Sequence, residues 1–373
     1  MSQLEVEDSS SPLERLPGEL RLRVLTSIPD LTTLRSLVHA SPVLHASYFH
    51  NRDTVLRTCL GRELDGLLVD AYATLMSRVG TLGSPRTNEM IVSFLDGYKG
   101  WLSGSSPCPE LESISPSSLR WMAAFQAFVA RPLALRYAGS ALANLREDTA
   151  ADTAAAAMAG IPAESEDIDD CRSRSEEIRV LRALYRFQTF CHLFGRNKGQ
   201  RVGGFDLHQI IEVFFGLFEP WEAEAVGCIE LFVRDKYEDI FHEVKEDINL
   251  GEAHQTYMRG TISRGLKVTV RLLAIHDHDT LVTKLRRCLT NTIYRDFPID
   301  ALFSFTVQFE RRDISGTNAR DEAEQRMDPL VFQGDTVPPM GPPFAWTVLW
   351  NGKYANLYGA YVPEPLRRWG YVM

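Results

Sequence analysis

Residues 13–44 read LERLPGELRLRVLTSIPDLTTLRSLVHASPVL, and their punctuation sets the fold of the N-terminus. Pro17 suits the first turn of a helix, and Glu19 close behind it favours the positive end of the helix dipole. Leu20, Val24 and Ile28 follow at spacings of four, one apolar stripe that Pro29 ends. Asp30 is placed to cap a second helix carrying Leu31, Leu34, Leu37 and Val38. Ser41-Pro42 repeats the cap-then-proline signal and opens a third, with Val43, Ala46 and Phe49 expected inward.

Working outward, residues 1–12 read as a disordered leader, and 13–60 as the short helical unit. A larger α-helical domain follows in two parts, 61–146 and 176–373, with little sheet. In the first part, 64–79 carries Leu64, Leu67, Leu68, Ala71, Tyr72, Leu75, Met76 and Val79 as one amphipathic helix of four turns. A helix over 88–101, a Ser/Pro loop over 103–109 and a long helix from Ser115-Pro116 to about Leu145, bent at Pro132, complete it. Residues 147–175 are alanine-rich and then acidic, a surface excursion holding a marginal alanine helix. Periodicity resumes over 176–194, and Asp206 and Pro220 open two further helices, the second reaching about Ile248. More helices are expected over 262–275, 280–294 and 300–311. The best period-2 run is Trp346–Trp350, inside an aromatic C-terminal segment. The fold class is mainly α.

Composition narrows the function. Of the chain's net charge of −9, −8 falls within residues 147–177, so the rest is nearly neutral and no basic block offers a footprint for nucleic acid. No run of about 18 apolar residues is present to cross a bilayer. The six cysteines are scattered without a C-x-x-C pair, and no secretory signal or N-x-[ST] sequon occurs. The expectation is a cytoplasmic or nuclear protein with free, buried thiols.

The set Leu16-Pro17, Glu19-Leu20, Val24, Leu25 and Ile28, followed by Leu31, Leu34, Leu37 and then Ser41-Pro42, resembles the F-box, in particular that of many fungal proteins. The resemblance covers about 45 of the 373 residues; Tyr48 or Phe49 stands near where the family often carries tryptophan. It implies binding to the Skp-type adaptor of SCF ubiquitin ligases through Leu16, Pro17, Leu20, Ile28 and Leu31, and through it to a cullin scaffold. The remaining chain would then recruit a protein substrate, of a kind the sequence leaves unnamed, and catalysis would lie on other subunits. An adaptor-binding regulatory protein without a ligase role is the alternative, and a small-molecule enzyme on the helical domain a more distant one. The physics is compatible with adaptor binding. A unit of about 50 residues cannot cover its own apolar surface, so its spare leucines must pack on the rest of the chain or on a partner.

Elsewhere the chemistry is thin. G-x-S-x-G, the Walker loop and G-x-G-x-x-G are absent, and Gly195-Arg-Asn-Lys198-Gly199 lacks phosphate-cradling spacing and reads as a turn. His276-Asp277-His278-Asp279 has metal-ligating residue types, but Asp279 more simply caps a helix from Thr280. Cys191-His192 lies in a helix interior and reads as a buried thiol rather than a dyad. No catalytic residue, cofactor or metal is expected. At the C-terminus, Leu366 and Trp369 are expected to dock together on a short helical turn after Pro363 and Pro365. Removing residues 364–373 should therefore cause aggregation or loss of soluble expression, read by size-exclusion chromatography. A soluble, monomeric and equally stable truncation would make the segment an exposed recognition element.

Overall fold

The computed structural model describes residues 11–83, 85–158 (side chains to 150), 173–195, 204–291, 326, 329, 331–332, 334, 341–349 and 362–373. It is mainly α, with no strand among the described residues. The chain forms two compact units: one of residues 1–68 and 108–128, the other of 69–107 and 129–373.

The first unit contains α1 (Gly18–Ser27), α2 (Leu31–Ala40), α3 (Pro42–His50) and α4 (Arg52–Glu63). Its start signals act as the sequence predicts. Asp30 accepts from the Thr32 and Thr33 amides at 3.0 and 2.8 Å, and Ser41 Oγ from the Leu44 amide at 3.1 Å. The chain then returns at residue 108 to add α8 (Pro116–Phe125) to this unit, a helix the sequence reading assigned to the second domain. Two long-range hydrogen-bond sets hold it there. Arg57 Nε donates to Leu111 O at 3.0 Å, and Gln126 Nε2 donates to the buried Glu63 Oε2 at 2.8 Å. The other Glu63 oxygen accepts from the Leu31 amide at 2.5 Å, satisfying an orphan donor at the start of α2.

The second unit holds α5 (Leu68–Met76, entering from the first unit at Val69), α6 (Val79–Leu82), α7 (Asn88–Ser103), α9 (Arg131–Met158), α10 (Arg174–Phe194), α11 (Leu207–Val213) and α12 (Pro220–Glu243). After these come α13 (His254–Ile262), α14 (Leu266–Leu273), α15 (His278–Cys288), α16 (Phe344–Leu349) and α17 (Glu364–Trp369). Helix α10 is buried on every face over most of its length, so it is the centre of the unit. A cluster of Phe190, Phe194, Phe214, Phe215 and Phe218 packs mostly edge to face around it, with Phe190–Phe214 centroids 5.3 Å apart and Phe214–Phe218 5.2 Å apart.

Buried charge ties four helices of this core together. Asp70 of α5 accepts from Tyr98 Oη of α7 and from Arg186 Nε of α10 at 2.8 Å, while Arg182 Nε lies 3.4 Å from its second oxygen. Glu222 of α12 accepts from Arg186 Nη2 at 3.0 Å and from the Glu219 amide at 3.1 Å, closing the network at a helix start. The Arg186 guanidinium also lies 4.2 Å from the Phe218 ring centroid. Burial by itself would make Arg186 easier to deprotonate, but Asp70, Glu222 and Tyr98 outweigh it and hold the group more firmly charged than usual.

Several boundaries differ from the sequence reading, each for a local reason. The helix expected over 64–79 breaks at Gly66, whose φ of 76° is left-handed, and continues as α5 and α6. The helix expected over 262–275 divides at Gly265 (φ 87°), where a Cβ would lie 2.5 Å from Gln188 Nε2. Gln188 Oε1 accepts from the Leu266 amide at 2.8 Å and so starts α14. The bend assigned to Pro132 is a π-helical turn over Gln126–Ala130, widened where proline withholds its amide from the ladder. The alanine stretch of the supposed excursion belongs to α9, whose helical backbone runs to Met158, and α12 stops at Glu243 rather than near Ile248. Trp346 lies in a helix, not an extended run. The helix expected over 300–311 falls outside the described residues.

The C-terminal segment is docked, though not by the pair expected. Val362, Arg367 and Val372 are buried, whereas Leu366 and Trp369 remain partly exposed. Arg367 reaches inward with both Nε and Nη2 on the Glu224 carboxylate, and Trp369 Nε1 donates to Asp148 at 2.6 Å. Replacing Asp70 with alanine should cost about 3–5 kcal/mol in urea unfolding, because it leaves two buried guanidiniums to share the single carboxylate of Glu222. Tyr98→Phe, which removes one donor, should cost only about 1–2 kcal/mol.

Candidate functional site

In the first unit, the residues of α3 predicted to point inward are instead largely turned outward, and the apolar stripe of α1 is also only partly covered. On α1 only Leu25 is fully buried; Leu20 is 42% exposed and Val24 half-buried. On α3 the buried residue is Leu44, while Val43 is half-buried, Ala46 exposed and Phe49 67% exposed. Between them runs an open groove of about 670 Å³ with Leu22, Val43 and Ala46 in its walls and Glu19, Arg21 and His50 among its polar lining. The reason is long-range. Helices α2, α4 and α8 hold the interior of this unit through Leu31, Leu34, Val38, Val55, Leu56, Leu60 and Leu119, leaving α1 and α3 one inward position each.

The residues singled out from the sequence are divided by this arrangement. Pro17, at the N-cap of α1, is exposed, Leu16 before it is half-buried, and Leu20 stands one turn further on. Their backbone is pinned by Glu14, which accepts from the Ser11 amide at 2.8 Å and from Ser41 Oγ at 2.6 Å. The Ser41 hydroxyl, followed by the Ser11 amide, holds the Glu14 carboxyl below its usual range. Ile28 is half-buried at the other end of α1, its carbonyl accepting from Arg62 Nη1 at 2.8 Å. Leu31 is 5% exposed and belongs to the interior, apart from the outward stripe. Sequence periodicity identified the leucines but had no signal for the Glu14–Ser41 tie, which spans 27 residues.

The other motifs resolve differently. Asp277, not Asp279, caps α15, accepting from the Thr280 amide at 2.9 Å, so the helix begins at His278. His278 Nε2 lies 2.8 Å from Asp247 Oδ2, whose hydrogen bond holds the imidazole pKa above its usual range. No group of three or more potential metal-ligating side chains occurs among the described residues. Cys191 is buried with its Sγ 3.8 Å from Ile262 O, and burial raises its pKa well above the usual thiol value. Its neighbour His192 faces elsewhere, with Nδ1 2.9 Å from Ser77 Oγ. Residues 196–199 of the glycine-basic motif lie outside the described residues. No described helix is long and apolar enough to cross a membrane. No family model, curated protein or solved structure matches the chain.

Burial, then the nearby Arg86 and Arg78, push the His192 pKa down to about 3. The unfolded chain, with a histidine pKa near ~6.5, takes up a proton there that the folded chain refuses. The resulting stability is fully present above about pH 6.5 and falls as the pH drops toward 3. Between pH 7 and pH 4 this one group should remove roughly 3 kcal/mol. Urea unfolding of the wild type and of His192→Gln across that range measures it, the variant losing this part of the slope.

Proposed function

We propose that the chain is an F-box-type adaptor. Its first unit would bind the Skp-type subunit of an SCF ubiquitin ligase, and the rest of the chain would bring a protein substrate to a cullin-bound complex in the cytoplasm or nucleus. The observation that carries the reading is the outward apolar face of α1 and α3. At the start of α1 the exposed Pro17 and Leu20 stand beside the half-buried Leu16, three of the positions matching the F-box pattern, although none of the three lines the α1–α3 groove itself. A monomeric domain gains nothing by leaving such a face in water, whereas a helix from a partner would lie along it with its apolar side down. Ile28 would contribute from the far end of α1, and Leu31 would support the face from beneath.

Because Pro17 and Leu20 are exposed, changing them tests binding without emptying a core position. The double variant Pro17→Ala, Leu20→Asp should keep its melting temperature within a few degrees. It should no longer co-purify the Skp-type adaptor from a eukaryotic lysate, or bind it in pure form. Adaptor capture equal to that of the unaltered chain would remove the proposal. Co-purification of cullin with the unaltered chain would favour the ligase role over a purely regulatory one.

A further inference from the structure

The sequence holds no basic block, but folding assembles one in the second unit from α14 and α15. Arg264 Nη1 donates to Cys288 O at 2.9 Å and to Arg287 O at 3.4 Å, which sets the start of α14 beside the end of α15. Helix α14 buries Leu266, Thr269 and Leu272, so Lys267 and Arg271, four apart, stand together on its solvent side. Helix α15 buries Leu281, Val282 and Leu285 and leaves Lys284 and Arg287 exposed. None of these four cations has a hydrogen-bond or ion-pair partner among the described residues. From Arg264 to Arg287 the chain carries six arginines and lysines against two aspartates, in a protein whose net charge is −9. Both aspartates sit at the far end of the hairpin, Asp277 capping α15 and Asp279 in its first turn.

Four unanswered cations on so short a hairpin repel one another, and a partner of opposite charge relieves that. The kind of anion follows from what surrounds them. No exposed large apolar side chain of the described residues falls within 264–288, so this face has nothing to insert into a bilayer. The same stretch contains no Phe, Tyr or Trp on which an unpaired base could stack. The cations stand singly along the helices instead of converging on one point, which disfavours a lone phosphate group. Their spacing suits a row of carboxylates. One turn separates Lys267 from Arg271, a rise of about 6 Å, and alternate side chains of an extended chain lie about 6.6 Å apart on one side. Lys284 and Arg287 offer a second row about 8–10 Å away, the usual spacing of packed helix axes.

We infer that the outer side of the α14–α15 hairpin docks an extended acidic segment of a partner protein, with carboxylates at alternate positions along the Lys267–Arg271 row. Each exposed ion pair is weak by itself, so affinity comes from several pairs together and specificity from their register. The surface is separate from the α1–α3 face and stands without the adaptor reading. Under that reading it is where a protein substrate would be held.

The test is fluorescence anisotropy of the full chain with a labelled peptide of about ten residues alternating glutamate with serine, in about 50 mM salt. Saturable binding is expected, weakening as salt rises to about 200 mM. The double variant Lys267→Glu, Arg271→Glu changes only exposed side chains and should lose about tenfold or more in affinity. A peptide of the same composition with its glutamates in one block should bind less tightly than the alternating one. No saturable binding at low salt, undiminished binding in the double variant, or equal affinity for the blocked peptide would overturn the inference. Equal or tighter binding of a singly phosphorylated serine peptide, a thymidine oligonucleotide or a DNA duplex would overturn it too. Self-association that the charge reversals abolish would assign the face to a second copy, with the same consequence. Should the first double variant fail to fold, Lys284→Glu, Arg287→Glu reads the same loss from the second row.

Discussion

The first unit depends on one buried carboxylate. Glu63 is 5% exposed, and its two oxygens face different elements: the Leu31 amide at the start of α2 and the Gln126 side chain in the turn after α8. A carboxylate at that depth is stable only when its lone pairs are engaged, so the positions of α2, α4 and the returning segment are fixed together. Once those helices share the interior, little room is left for α1 and α3, which send only Leu25 and Leu44 fully inside. The exposed apolar stripe follows from how the interior is allotted.

The second unit uses the same device more heavily. Asp70, two arginines, Tyr98 and Glu222 join α5, α7, α10 and α12 by hydrogen bonds whose geometry permits one helix register, whereas phenylalanines alone tolerate sliding. That suits a domain built of long, almost wholly buried helices such as α10, where periodicity gives no preferred face. Arg367 repeats the arrangement with Glu224 at the C-terminus, anchoring a segment whose apolar residues are only partly covered.

Much of this was legible in the sequence, and the pattern of failure is physical. Caps are local: Asp30, Ser41, Thr87, Ser115 and Asp206 each bond an amide two or three residues on, so helix starts near them can be read from a few letters. Which face of a short helix is buried is decided by distant chain. On α3 the expected Val43, Ala46 and Phe49 gave way to Leu44 because α2 and α4 occupy the other side. The ties of Glu63 to Gln126 and of Asp70 to Arg186 span 63 and 116 residues and leave no periodic trace. At His276–Asp279 both aspartates are acceptable caps, and the choice of Asp277 accompanies the pairing of His278 with Asp247, 31 residues away. Of the candidate site, Leu16, Pro17 and Leu20 were readable as partner-facing positions, while the burial of Leu31 in the interior was not.

The central claim is that the outward face of α1 and α3 is where a Skp-type adaptor sits. Hydrogen–deuterium exchange of the full chain, with and without purified adaptor, tests it most directly, because it reports where the partner lands as well as whether it binds. The account predicts slowed exchange confined to amides of residues 13–51, strongest in α1 and α3, with α10 and α12 unchanged. No protection at saturating adaptor, or protection located in the second unit, would contradict it.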